Sequence, residues 1–175
     1  MSSEIAHVLA RLELFRGWTE AELGHLAGLG RIEHWREGAL VLEEGAHGPR
    51  MMVLIAGRVE VVRRDDSGVE HAIGMVEQGE ALGEMSLLLD LPRTATVRAL
   101  TNLNVFAMDR AAFLERIGEG DPVVLKLGYV LSRSLARRLH TLNERVLQLL
   151  AENQELKRTF SERRQELFHL WDYDG

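Results

Sequence analysis

The chain has no cysteine. That excludes disulfides, cysteine-ligated zinc and cysteine-ligated iron–sulfur clusters, and it fits a reducing compartment. Long apolar runs are missing too: stretches such as Leu87–Leu89 fall far short of the ~20 residues a bilayer-spanning helix needs. The start, MSSEIAHVLARLELF, lacks a basic segment followed by an apolar core and does not read as a secretion signal. A cytoplasmic, soluble protein without membrane association is expected. Surplus basic charge is also lacking, since the net charge is −6, which argues against bulk nucleic-acid binding. The imbalance sits in residues 1–120, with 12 basic and 19 acidic side chains, whereas residues 121–175 carry 9 and 8. Arg133, Arg137, Arg138 and Arg145 form the notable basic cluster, which reads as a solvated helix face.

What is present suffices for a real core. Hydrophobic residues make up 46% of 175, enough for one domain of ordinary size with an appendage. Residues 3–30 show helical spacing at Ile5, Val8, Leu9 and Leu12. A second helix is signalled by Thr19-x-x-Glu22, a capping box leading into Leu23, Leu26 and Ala27. From about 31 to 108 the period shifts towards two, and glycines at 38, 45, 57, 68, 74 and 79 separate short apolar runs. Asp65-Asp66-Ser67-Gly68 marks a hairpin between Val61-Val62 and Val69–Val76. Such punctuation points to an antiparallel β-barrel or jelly-roll sandwich, interrupted at Glu84–Leu89 by a turn or two of helix. Asp109 is placed to cap a helix over Arg110–Ile117.

The remainder is helical. Asp121-Pro122 supplies a cap and a first-turn proline. From Val123 to about Leu170 no proline occurs and the one glycine is Gly128, so a rod on the order of 70 Å is expected. Leucine recurs at Leu135, Leu142, Leu149 and Leu156, interleaved with Leu139, Val146, Asn153, Phe160 and Leu167. This alternation of three and four is a coiled-coil seam with leucine at d. Asn153 at a favours a parallel dimer, because a buried asparagine is tolerated facing itself and costly facing an aliphatic neighbour. The expected interface is Leu135, Leu139, Leu142, Val146, Leu149, Asn153, Leu156 and Phe160. The first turns, Val123–Leu131, are expected to dock on the chain's own β-domain. Arg163 falls at d, where the seam decays and its tip is free to meet a protein partner.

The chemistry concentrates at Gly83-Glu84-Met85-Ser86-Leu87 and Arg93-Thr94-Ala95-Thr96-Val97. Glu84 can accept from a sugar hydroxyl, and Arg93 can clamp a phosphate through its planar fork of donors. A helix opening near Glu84 adds unsatisfied N–H groups. A molecule with a phosphodiester and a free ribose 2′-hydroxyl, such as a cyclic nucleotide, meets all three.

The run G-E-x-[SA]-L, a short spacer and R-[TS]-A-[TS]-V resembles the phosphate-binding cassette of cyclic-nucleotide-binding domains, and every one of those positions matches. Leu14-Phe15-Arg16-Gly17, Glu44-Gly45 and Ala56-Gly57-Arg58-Val59 are similar to the family's first helix and β-roll turns, so the resemblance covers about residues 5–145. Many members carry aspartate after the Gly45 position; Ala46 here is expected to alter a turn and not the ligand site. The resemblance implies an α+β fold: a jelly-roll-like antiparallel β-roll flanked by N-terminal helices over 1–120, a long dimerisation helix forming a parallel coiled coil over 121–171, and a tail at 172–175. It implies that Glu84 receives the ribose 2′-hydroxyl and that Arg93 pairs with the cyclic phosphate. Gly83 and Ser86 would contact the ribose–phosphate through backbone N–H, and Thr94 would reach a phosphate oxygen or the base. Met85 and Ala95 complete the expected ligand-binding set of the cassette. Leu131–Arg145 is similar to the dimer helix of the family's catabolite-activator branch, which implies that Arg138, Leu142 and Asn143 approach the purine, Asn143 from the partner subunit; the same three residues also read simply as coil.

In the transcription-factor branch a helix-turn-helix follows that helix. Here the heptads run on to Leu170 and the chain stops at Trp171–Gly175, so direct sequence-specific DNA binding is not expected. The seven histidines, His7, His25, His34, His47, His71, His140 and His169, show no metal-ligand spacing, and no nucleophile–base pair stands out; neither a metal, a cofactor nor catalysis is expected. The expected function is that of a homodimeric sensor of a regulatory ligand, cAMP favoured over cGMP, that signals to a partner protein through the coil. The alternatives are a nucleotide-independent scaffold with a degenerate β-roll, or a transcription regulator cut short of its DNA-binding domain.

Overall fold

The computed structural model describes the backbone of residues 2–89 and 91–171, and their side chains except 161, 162 and 164–171. The expected tail at 172–175 and the Leu167 side chain lie outside the described residues. Helix α1 (Ser2–Leu9), a 3₁₀ turn (Glu13–Phe15) and α2 (Glu20–Gly28) come first. Thr19 caps α2 as its spacing foretold: Glu22 N–H donates to Thr19 Oγ1 at 3.2 Å and Thr19 N–H donates to Glu22 Oε2 at 2.7 Å.

Eight strands come next: β1 (Gly30–Trp35), β2 (Leu40–Leu42), β3 (Arg50–Ala56), β4 (Val59–Arg64), β5 (Glu70–Val76), β6 (Ala81–Leu82), β7 (Thr96–Ala99) and β8 (Leu103–Asp109). Helix α3 (Glu84–Leu89) interrupts them after β6; α4 (Arg110–Gly118) and α5 (Pro122–Trp171) close the chain. All pairings are antiparallel, in two sheets ordered β1-β8-β3-β6 and β2-β7-β4-β5. The expected antiparallel β-roll with flanking N-terminal helices and a long C-terminal helix is therefore present.

Two apolar cores explain the strand sequences. Met52 and Leu54 of β3 meet Leu103, Val105 and Ala107 of β8 and Val59 of β4 in one core. Met51, Val53 and Ile55 point the other way, joining Phe106, Met108, the N-terminal helices, Leu87 of α3, Phe113 of α4 and Val124, Leu127 and Leu131 of α5. A strand lying between two cores needs apolar residues on both faces, which is why Met51–Ala56 does not alternate. Strand β5 is the opposite case. Apart from Val76 it is exposed, Ile73 and Met75 included, and it forms an edge of its sheet.

The hairpin turn is built by Asp65, whose Oδ1 accepts from the N–H groups of Ser67 (2.9 Å) and Val69 (3.0 Å), with Gly68 at φ 85°. Asp109 does stand at the start of α4 in extended conformation, but its carboxylate makes no cap bond and instead accepts from Arg31 Nη1 at 3.2 Å. Asp121 caps α5 as expected: Oδ1 accepts from Val123 and Val124 N–H at 2.9 and 3.2 Å, while His25 Nε2 lies 2.6 Å from Oδ2.

The chain divides into a compact unit that runs to Leu131 and a helical unit from Ser132 onward. Val124, Leu127 and Leu131 are fully buried in the first, so the opening turns of α5 dock as the sequence suggested. In the second, Leu139, Leu142, Val146, Leu149, Leu156 and Phe160 are all exposed in the single chain, as is Asn153, and Leu135 is half-buried. Among the described residues no helix is long and apolar enough to cross a membrane.

Candidate functional site

Gly83, at φ 71°, turns the chain from β6 into α3 in a conformation that a side chain rarely adopts. The first bond of α3 runs from Leu87 N–H to the Gly83 carbonyl at 3.2 Å. Burial then singles out the cassette. Among the described residues the buried polar or charged side chains are Glu84, Ser86 and Arg93, each 5% exposed, and Thr96 at 7%. All four lie between Gly83 and Val97. Burying charge is costly unless it is paired or serves a ligand, so their concentration at one place needs a reason.

Arg93 is the centre of that place. Its Nη1 donates to the Gly83 carbonyl at 3.1 Å and its Nη2 to the Arg50 carbonyl at 2.5 Å. Its Nε is buried with no hydrogen-bond partner. Two glycines frame the guanidinium: a Cβ on Gly48 would lie 2.5 Å from both Nε and Nη2, and one on Gly83 would collide with Nη1. The main chain of Arg93 is pinned as well, its N–H donating to the Ala46 carbonyl at 2.9 Å and its carbonyl accepting from Gly45 N–H at 2.8 Å. Ala46 thus contributes a carbonyl to this turn. Thr96 Oγ1 accepts from Glu44 N–H at 3.1 Å and ties the same loop to β7.

Burial lowers the affinity of Arg93 for its proton, the Glu84 charge works the other way, and the Arg50 charge adds to the lowering; the outcome is below the usual guanidinium range. A desolvated cation with an unpartnered N–H is suited to an anion, which supplies both the missing acceptor and the missing charge. Glu84 beside it is suited to a hydroxyl. The residues present therefore fit a ligand that carries a phosphate and a neighbouring sugar hydroxyl.

The structure brings Arg93 to Gly83 and Glu84, and Thr94 to Met85, while Ser86 is buried in α3 and Ala95 is half-buried. Thr94 is exposed, with Oγ1 3.8 Å from Met85 Sδ. Arg138, Leu142 and Asn143 belong to the helical unit, where Leu142 and Asn143 are exposed and Arg138 is half-buried. Gly48 and Arg50 were not singled out from the sequence, nor was Arg110, whose N–H donates to the Pro49 carbonyl at 2.5 Å and whose Nε donates to the Leu87 carbonyl at 3.2 Å. Main-chain acceptors leave no residue signature; the one available hint was the glycine pair Gly45 and Gly48 in a single loop. Among the described residues no group of His, Asp or Glu is arranged to hold a metal ion.

The chain is similar to several known proteins. A cAMP-activated global transcriptional regulator of Mycobacterium tuberculosis is 28% identical over 143 residues, covering 82% of this chain and 62% of the regulator. A cAMP-dependent protein kinase regulatory subunit of Blastocladiella emersonii is 33% identical over 84 residues, covering 48% of this chain and 21% of the subunit. The chain thus spans less than two thirds of either relative's length. A crystal structure of a cyclic nucleotide-binding domain from Methylobacillus flagellatus superimposes with a TM-score of 0.73 over 83% of this chain and 82% of that one, at 22% identity, which shows the shared fold. The family model for the cyclic nucleotide-binding domain matches residues 32–119, a span that runs from within β1 through α4 and contains the cassette; with Glu84, Ser86 and Arg93 buried at its heart, the chain belongs to the cyclic nucleotide-binding domain family.

Proposed function

We propose that this protein is a homodimeric cyclic-nucleotide sensor that binds cAMP in preference to cGMP and passes the binding event to a partner protein through its C-terminal coil. One observation carries the ligand-binding part: Arg93 is buried and its Nε has no hydrogen-bond partner, an arrangement that an incoming phosphate would complete. In assigned roles, Arg93 pairs with the cyclic phosphate, Glu84 holds the ribose 2′-hydroxyl, backbone N–H groups of Gly83 and Ser86 meet the ribose–phosphate, and Thr94 lies alongside. The preference for cAMP draws on the mycobacterial and kinase relatives, described as cAMP-activated and cAMP-dependent. Those relatives are described as a regulator and a regulatory subunit.

Dimerisation draws on the heptads and on the exposed seam from Leu139 to Phe160. Signalling then requires that the ligand prefer one arrangement of the coil over another, since a ligand indifferent to both shifts nothing. Residues 1–120 serve as the sensor and 121–171 as the output.

Isothermal titration with cAMP and with cGMP tests this. Saturable heat with cAMP, weaker heat with cGMP, and loss of both in Arg93→Glu with the dimer intact are the expected results. Absence of heat and of any thermal shift with either nucleotide at millimolar concentration sinks the sensor and favours a scaffold in which Arg93 serves only its two carbonyls.

A further inference from the structure

Two carbonyls aim the Arg93 guanidinium, one from Gly83 inside the cassette and one from Arg50 at the start of β3, 43 residues away in sequence. The chain entering Arg50 is tied by the Arg110 N–H to the Pro49 carbonyl at 2.5 Å, and Arg50 pairs with Asp109 where β3 meets β8. Gly48 is conformationally permissive and Pro49 has no N–H to donate. The Arg50 side chain adds a further anchor. Nη1 lies 2.5 Å from Glu33 Oε1 on β1, and Nε lies 4.0 Å from Asp109 Oδ1 on β8. Glu33 is in turn bonded to Arg31 at 2.9 Å, and Arg31 to Asp109 at 3.2 Å. Arg50, Glu33, Arg31 and Asp109 thus close a ring of four charges that includes the residue whose carbonyl receives Arg93. The diversion of Asp109 from helix capping is part of the same ring.

We propose that Arg50 is a positioning residue for phosphate recognition: its carbonyl aims the Arg93 guanidinium, and its side chain, anchored to Glu33 and Asp109, adds to the strand pairing in holding that carbonyl in place. This rests on the proposed ligand-binding role of Arg93. The nearness of the two cations, felt at Arg93 as a repulsion, adds a second effect of the same sign, because an anion at Arg93 is favoured by the Arg50 charge as well.

A double-mutant cycle on the full chain tests it, with cAMP affinity read by calorimetry. Arg50→Met keeps an unbranched stem but removes both ion pairs; it is expected to weaken cAMP binding about tenfold in the parent and less than about threefold in an Arg93→Lys background, since two residues acting through one contact are not additive. Glu33→Gln removes the main pair from its other end and is expected to weaken binding in the same direction, which guards against a folding defect peculiar to one variant. The proposal is overturned if both variants bind cAMP as tightly as the parent, or if Arg50→Met loses the same factor in both backgrounds. A parent that binds neither cAMP nor cGMP overturns the sensor itself and Arg50's role with it, so the two failures are distinguishable.

Discussion

Gly48 lies so close against the Arg93 guanidinium that a Cβ at position 48 would stand 2.5 Å from Nε and from Nη2. Real Cβ atoms do not come that near, so the smallest possible substitution there must push a buried planar cation off its two carbonyl acceptors. Gly48→Ala is expected to destabilise the fold by about 1–3 kcal/mol, the cost of leaving a buried polar group unsatisfied, and to lower cAMP affinity by at least about tenfold. Chemical denaturation and calorimetry measure the two effects. Unchanged affinity would mean that the guanidinium relaxes without losing its direction.

The carboxylate of Glu84 gives a second, chemically specific expectation. If it receives the ribose 2′-hydroxyl, the protein binds 2′-deoxy-cAMP less tightly than cAMP by about tenfold or more, the worth of a hydrogen bond to a charged group. Glu84→Ala should lose a similar factor for cAMP and then treat the two nucleotides alike. A Glu84→Ala protein that still prefers cAMP over its 2′-deoxy analogue places the hydroxyl elsewhere.

The sequence made the local elements legible where a side chain announces them. Thr19 and Glu22 cap α2, Asp65 shapes the hairpin turn, Asp121 and Pro122 open α5, and Glu84–Leu89 forms a helix amid strands. The matched cassette made both ends of the site visible. What stayed hidden is what long-range packing decides. The order β1-β8-β3-β6 joins strands some 70 residues apart by backbone bonds that any residue provides. The acceptors of Arg93 are carbonyls, and Gly48 is needed for space, so neither carries a motif. Asp109 shows the limit well: its spacing from α4 is that of a cap, yet Arg31 and Arg50 offer it charge, and charge wins over a single N–H.

Acid should loosen the hairpin before the rest of the compact unit. The Arg98 guanidinium first, and Arg64 second, hold the Glu70 carboxyl down to about 2 from its usual 4.5. The Ser67 hydroxyl, then His71, lower Asp65 to about 2 from 3.8. Both groups are depressed in the folded protein, so their contribution is complete above about pH 4.5 and is lost as pH falls towards 2. Amide exchange across Val69–Val76 is expected to quicken in that window relative to β3 and β8, more weakly in Glu70→Gln, and less at high salt, since these pairs are solvated. Equal protection of β5 in acid and at neutral pH would remove these pairs from the account of hairpin stability.

The seam of the helical unit is open to a direct test of assembly. Leu149 is 49% exposed in the single chain and falls at d, where a parallel partner would bury it against its own copy. Leu149→Glu places two carboxylates at that contact and forfeits about 3–6 kcal/mol of apolar burial across the pair, so the dimer is expected to dissociate at micromolar concentration in sedimentation experiments. Asn153→Leu should act oppositely, raising the melting temperature of the coil while admitting assemblies beyond the dimer, because the asparagine restricts register at the expense of stability. If Leu149→Glu sediments as the parent does, the leucines from Leu135 to Leu156 serve some other surface. If it becomes monomeric yet still binds cAMP, ligand capture belongs to the compact unit and the coil governs only the response to it.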